Sequence, residues 1–142
     1  MSVISSVAHV GAVSVPSRGP VHHVARRARR RPRFRTSLGR SVFPRVSVVV
    51  PSRNEARNLE VVLPAIAAVR PAVHEVIVVD GHSTDDSIAA ARRALPWARV
   101  IRQTRKGKGN AMACGFAVAT GEVIVMLDAD GSADPAEIPA FV

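Results

Sequence analysis

VSVVVPSRNEARNLEVVLPAI, residues 46–66, contains the unit that decides the fold. VSVVV (46–50) is a β-branched run closed by Pro51, the pattern of a strand buried on both faces. A short polar interval follows, in which Asn54 is placed to cap a helix. Leu59, Val62, Leu63 and Ile66 then recur at helical spacing, so one helix face is apolar. Buried strand, polar loop and amphipathic helix together make half of a β-α-β crossover.

The same unit repeats along the chain. VIVV (76–79) reads as a second buried strand, ended by Asp80 and Gly81. Ser83 with Asp86 three residues later forms a weak capping box before a helix whose face holds Ile88, Ala91 and Leu95. ARVI (98–101) is a short third strand, and the basic loop RQTRKGKG (102–109) leads into a helix that offers Met112, Cys114, Gly115, Phe116 and Ala119 for packing. VIVML (123–127) is the fourth strand. Asp134-Pro135-Ala136-Glu137 opens a last helix, with Asp at the cap, Pro in the first turn and Glu at the third position. The order β-α-β-α-β-α-β-α predicts an α/β fold, a mainly parallel sheet with flanking helices on both faces. Such sheets bind ligands beyond the carboxyl ends of their strands. The polar clusters obey that rule: Ser52 to Glu55, Asp80 to Asp85, and Asp128 with Asp130 all follow strands. The basic loop precedes a helix N-terminus, where free amides favour phosphate. All four are predicted to converge on one edge of the sheet.

The 142 residues suit one domain. The net charge of +9 is unevenly spread. Residues 1–54 carry eleven Arg and no Asp or Glu, whereas residues 55–142 set nine basic residues against eleven acidic ones, a balance of −2. The high isoelectric point therefore describes an N-terminal tail. Residues 1–44 lack strand or helix periodicity, and RRARRRPRFR (26–35) is a block of like charge expected to be disordered on its own. Domain boundaries of 1–44 for this tail and 45–142 for the folded part follow. Residues 1–17 are uncharged but contain several Ser, a His and a Pro, and no positive charge precedes them, which makes a poor signal peptide and a poor membrane span. The expected location is cytoplasmic, with peripheral membrane contact through the basic tail. Cys114 is the single cysteine, so an intrachain disulfide is excluded.

The common nucleotide signatures are absent. PSRNEARN stands where a dinucleotide site needs GxGxxG, and Lys106-Gly107-Lys108-Gly109 does not make a phosphate-binding P-loop. What remains is an acidic pair and a basic glycine loop. Two carboxylates one residue apart either lie on a solvated turn or share a hard divalent ion, Mg²⁺ or Mn²⁺, whose shell a diphosphate completes. Placement directly after VIVML favours the second reading.

The set VSVVVPSRNEARNL, VIVVDGHSTDDS, RKGKGNAMACGF and GEVIVMLDADGSADPAEI resembles the N-terminal half of glycosyltransferase family 2, nearest its dolichyl- or polyprenyl-phosphate mannosyl- and glucosyltransferase-like branch. The resemblance spans about residues 45–142 and implies a GT-A, Rossmann-like nucleotide-diphosphosugar domain. It implies that Pro51, Asn54 and Glu55 line the nucleoside pocket, that Asp80 contacts base or ribose, and that Lys108 sits beside the diphosphate. Asp128 and Asp130 match the D-x-D that holds metal and sugar diphosphate, and Ser132 falls where relatives offer a further polar ligand. The implied reaction is inverting sugar transfer from a UDP- or GDP-sugar to a polyprenyl-phosphate acceptor, with Mg²⁺ or Mn²⁺ stabilising the departing diphosphate.

Three departures qualify that expectation. Relatives often read V-D-D-G-S after the second strand, whereas this chain has Val79-Asp80-Gly81-His82-Ser83. The base contact, and with it UDP against GDP, is left open, and His82 is read as a solvated loop residue. Arg53 stands where relatives often carry an aromatic residue, and can pair with phosphate or face solvent. The resemblance also stops at Val142, just after the D-x-D, so the sequence reads as a fragment truncated after the fourth strand, with any catalytic base downstream. The competing class is a nucleic-acid- or anionic-membrane-binding module built on the Arg block, although Phe34 alone among aromatics within 26–35 argues against a base-stacking surface. A sugar nucleotidyltransferase would need a glycine-rich loop after the first strand, which is lacking. Cys114, Trp97 and Met112 are expected to be core or partly buried packing.

Overall fold

A computed structural model describes residues 43–142. The basic tail, including the Arg block at 26–35, lies outside these residues save for Phe43 and Pro44. The elements are β1 (Val46–Ser52), α1 (Ala56–Ala67), β2 (Glu75–Asp80), α2 (Ser87–Ala94), β3 (Arg99–Arg102), α3 (Lys108–Val118), β4 (Val123–Met126) and a closing 3₁₀ helix (Pro135–Phe141). The strands form one parallel sheet in the order β3-β2-β1-β4. β1 and β2 occupy its centre, so their valines are buried on both sides.

Side-chain parity divides the core. Val46, Val48 and Val50 of β1, with Val76 and Val78 of β2, face the layer that contains Leu59, Leu63 and Ile66 of α1. Val49, Ile77 and Val79 face the opposite layer, with Ala111 of α3 and Ile124 of β4. The four apolar positions expected on α1 are all buried. Truncating a fully buried Leu63 to Ala would cost about 2–5 kcal/mol by the usual transfer and cavity terms. On α3 the buried residues are small, Ala111 and Gly115. A Cβ on Gly115 would collide with the Val49 side chain, so this helix meets the sheet by its backbone. Met112, Cys114, Phe116 and Ala119 are only partly buried.

Several boundaries differ from expectation for physical reasons. Pro51 belongs to β1, paired with Val79, and does not end the strand. The Val49 carbonyl accepts from Leu127, so Val49 and Pro51, two residues on, both direct their backbone hydrogen-bonding groups toward β4. Pairing with β4 ends at Val49, so the missing N–H of Pro51 deprives no partner. β3 starts at Arg99, and its exposed ends (Arg99, Arg102) with only half-buried Val100 and Ile101 between them fit an edge strand. Asn54 does not cap α1. The cap residue is Glu55 without a side-chain cap bond, and Asn54 adopts φ 55°. The expected Ser83–Asp86 capping box also fails to form, because α2 starts at Ser87 after Asp86 with no side-chain cap bond. The last helix is 3₁₀, with Asp134 accepting from Ala136 N at 2.9 Å as expected of a cap. In an α-helix the Pro139 ring would clash with the carbonyl four residues back, at Pro135. Trp97 is 55% exposed, not packed, in the turn between α2 and the edge strand.

Ser47, a buried hydroxyl within a valine strand, has a specific partner set at the amino edge of the sheet. It donates to Glu75 Oε1 at 2.6 Å and accepts from Gly121 N at 2.8 Å. Thr120 N and Thr120 Oγ1 donate to the same Glu75 oxygen at 2.6 and 2.9 Å. This network locks the turn before β4 onto β1 and β2.

Candidate functional site

At the opposite, carboxyl edge the loops leave a cavity of about 300 Å³. Pro51, Ser52, Arg53 and Glu55 line it from β1, Gly81 from β2, Gln103 from β3, Gly107, Lys108 and Ala111 from the α3 entrance, and Asp128, Ala129 and Asp130 from β4. Parity explains much of this list. Ile77, Val79 and Ile101 face the α3 layer, and Gly81 and Gln103 continue the same alternation beyond the strand ends. Asp80 has the other parity, shared with Val76 and Val78.

Five of the residues expected at the site therefore meet in one cavity: Pro51, Glu55, Lys108, Asp128 and Asp130. Asn54 and Asp80 are not among its lining residues and have partners elsewhere. Asn54 N donates to Ser83 Oγ at 2.9 Å, and Asn54 Oδ1 accepts from Thr84 N at 2.8 Å. Asp80, only 2% exposed, accepts from Ser83 N at 3.3 Å and pairs with Arg102 Nε at 3.4 Å. The Asn54 side chain ties the β1 loop to the β2 loop, and the Asp80 side chain ties the β2 loop to the end of β3. The second loop also caps α1: Glu55 N donates to Ser87 Oγ at 2.9 Å and Ala56 N to Asp85 Oδ2 at 3.3 Å. Asp85 is held below its ordinary value chiefly by the Ser87 hydroxyl. His82 is exposed, with φ 60°.

The acidic pair is organised by short-range contacts. Lys108, the first residue of α3, places Nζ 2.7 Å from Asp128 Oδ2. Asp130 Oδ1 accepts from Ser132 N at 2.9 Å, a local turn that orients the carboxylate. The Ser132 side chain, then its backbone N–H, lower the Asp130 pKa, and the Lys108 charge adds to this. Ser132 itself is exposed and does not line the cavity. Gly107 precedes Lys108 with φ 101°, a conformation glycine adopts without strain, and α3 has no side-chain cap. Its first amides are thus left for an anion.

Among the described residues no group of three His, Cys, Asp or Glu is arranged to hold a metal ion. Asp128 and Asp130 supply two hard oxygen donors. That donor set fits Mg²⁺ or Mn²⁺ only if a ligand's diphosphate and water complete the shell, since these ions take about six oxygens. Ser52, Gly81, Gln103 and Gly107 fall within the polar clusters expected at this edge but are not singled out by sequence as site residues, and Ala111 and Ala129 lie outside those clusters. Within the loop 102–109, Gln103 is the polar residue that directly follows the third strand, which is the signal that marks it.

A family model described as glycosyl transferase family 2 matches residues 47–142. An uncharacterized glycosyltransferase of Mycobacterium tuberculosis is 40% identical over 97 residues, which is 68% of this chain and 42% of that protein. An undecaprenyl-phosphate 4-deoxy-4-formamido-L-arabinose transferase of Pseudomonas savastanoi is 38% identical over 105 residues, 68% of this chain and 31% of its own length. The chain thus spans less than half the length of either relative. Glucosyl-3-phosphoglycerate synthase of Mycobacterium tuberculosis, solved with Mn²⁺, UDP-glucose and phosphoglyceric acid, superposes with a TM-score of 0.60 at 32% identity, covering 68% of this chain and 37% of that one. A mannosyltransferase of Pyrobaculum calidifontis, solved with GDP-mannose and Mn²⁺, gives a TM-score of 0.55 at 41% identity, covering 61% of this chain and 28% of that one.

Proposed function

The chain belongs to glycosyl transferase family 2, and from that premise we propose that residues 45–142 bind the nucleoside-diphosphate sugar in a glycosyl transfer. The observation that carries the reading is the meeting of Lys108, Asp128 and Asp130 in one cavity at the carboxyl edge of a parallel sheet. Pro51 and Glu55 wall the nucleoside end. Asn54 acts on the same end by joining the β1 and β2 loops, and Asp80 by holding the β2 loop against Arg102. Lys108 and the free amides at the start of α3 face the diphosphate. Asp128 and Asp130 are the ligands for Mg²⁺ or Mn²⁺. When bound, the divalent ion supplies Lewis-acid stabilisation of the leaving diphosphate.

The solved neighbours take UDP-glucose and GDP-mannose, so either base is compatible with this fold. The undecaprenyl-phosphate transferase supports a polyprenyl-phosphate acceptor. An acceptor of that kind lies in a membrane, and the Arg block at 26–35 would meet the anionic surface around it. No helix among the described residues is long and apolar enough to cross a membrane.

Titration calorimetry with UDP-glucose and GDP-mannose in the presence of Mn²⁺ tests the donor site. One nucleotide sugar should bind, and Asp128→Ala and Asp130→Ala should each weaken it at least about tenfold, as expected when one side of a charged contact is lost. Variants that bind like the parent would remove the proposal.

A further inference from the structure

The Lys108–Asp128 contact joins two residues to which the donor-site reading gives separate ligands. Lys108 is expected on the diphosphate and Asp128 on the divalent cation. In this structure they hold one another at 2.7 Å. The ammonium also acts on Asp130, so it lies in the field of both carboxylates. The pair is accessible, with side-chain exposures of 55% for Lys108 and 36% for Asp128. No other partner of Lys108 Nζ is seen among the described residues, and a flexible four-carbon stem lets it re-aim.

We infer that Lys108 is an exchangeable counter-ion of the acidic pair, one that makes metal binding at Asp128 and Asp130 depend on the diphosphate. The inference rests on the donor-site reading above and concerns how its two ligands are coupled. Without nucleotide, the ammonium already neutralises Asp128 and lies where it repels a second cation. A divalent ion must displace it, against a charge-assisted hydrogen bond and with only two protein carboxylates in return. A diphosphate offers Lys108 an alternative acceptor with more negative charge. Once the lysine moves to phosphate, both carboxylates are freed. Coupling of this kind is reciprocal: diphosphate raises metal affinity by the factor by which metal raises diphosphate affinity. Lys106 is the natural control. It is exposed, two residues away in the same basic loop, and does not line the cavity.

The test measures Mn²⁺ affinity of the 142-residue chain by calorimetry or by loss of the free-ion electron paramagnetic resonance signal, with and without UDP or GDP. In the parent, Mn²⁺ alone should bind weakly and nucleotide should strengthen it. Lys108→Ala should bind Mn²⁺ alone about fivefold more tightly, the factor set by an exposed ion pair at the upper end of its usual worth. Its nucleotide-induced gain should shrink by at least as much. Lys108→Arg should behave like the parent, and Lys106→Ala should leave both numbers unchanged. Unchanged or weaker Mn²⁺ binding in Lys108→Ala would overturn the inference while leaving the donor site intact, provided that the parent binds nucleotide with Mn²⁺. An equal effect of Lys106→Ala would also overturn it, since general surface charge would then suffice. A parent that binds neither Mn²⁺ nor nucleotide would overturn the inference and the donor-site reading together.

Discussion

The two edges of the sheet use similar residue types to opposite ends. At the amino edge, Ser47, Glu75, Thr120 and Gly121 form a closed network, and a single carboxylate oxygen receives three donors. At the carboxyl edge, Asp128 and Asp130 have one lysine and one local turn between them, and open onto a cavity. A carboxylate whose acceptor sites are filled by neighbouring chain is a structural rivet. One whose partners are an exposed ammonium and solvent keeps its capacity for a ligand. Position relative to a strand separates these uses, since Glu75 starts β2 whereas Asp128 follows β4 by two residues, at the carboxyl edge where ligands bind.

Breaking the amino edge should have the largest effect on stability. Glu75→Ala leaves the fully buried Ser47 hydroxyl without its acceptor, at a cost of about 2–3 kcal/mol. Gly121→Ala should cost a comparable amount, about 3 kcal/mol, because a Cβ there would lie 2.6 Å from both Arg45 O and Ser47 Oγ. By contrast, Asp128→Ala should shift stability by no more than about 0.5 kcal/mol, the range of surface changes. Urea unfolding of the three variants checks the contrast. An Asp128→Ala loss as large as that of Glu75→Ala would show that the carboxyl-edge pair is also structural.

How far the sequence was legible follows the same division. Strands, the apolar stripe of α1 and the convergence of polar loops were readable, because hydrophobic period and strand-end position are local properties. The capping of α1 was not. Asn54 looked like a cap by proximity, yet the groups that serve Glu55 N and Ala56 N are Ser87 and Asp85, about thirty residues on. Side-chain parity at the loop ends was equally hidden. β1 runs two residues past the expected Val50 and β2 one past Val79, and the alternation carried through Asp80 puts Gly81, and not Asp80, at the cavity. Residue type alone predicts packing for Trp97, whereas an edge strand and its turn leave it exposed.

His82 gives a sharper comparison within the carboxyl edge, between a loop residue shaped for the fold and one shaped for a ligand. It adopts φ 60°, where a side chain costs roughly 1–2 kcal/mol relative to the right-handed region. It is exposed and does not line the cavity. His82→Gly should therefore raise stability by about 1 kcal/mol, less than the full strain because glycine also frees the unfolded chain. Nucleotide affinity should stay the same. Thermal unfolding and calorimetry on one preparation distinguish the two; a stabilised variant that lost affinity would assign His82 to the ligand.

The smallest effect expected is on acid stability, and it tests the rivet directly. Burial acts to raise the Glu75 pKa, but the Ser47 hydroxyl and the Thr120 N–H and hydroxyl outweigh it and hold the carboxyl below its ordinary value of 4.5. A carboxylate depressed in the folded state binds fewer protons there than in the unfolded chain. Its contribution is complete above about pH 4.5 and is lost as pH falls through the lower folded value. Glu75→Gln retains an acceptor oxygen without the titration. The stability difference between parent and Glu75→Gln should therefore be constant from neutral pH down to about 5 and shrink below that. Asp130→Asn, at an exposed carboxylate whose pKa is also lowered, should produce a weaker acid dependence than Glu75→Gln, because solvent screens its contacts. A larger acid dependence from Asp130 than from Glu75 would reverse the assignment of rivet and ligand site to the two edges.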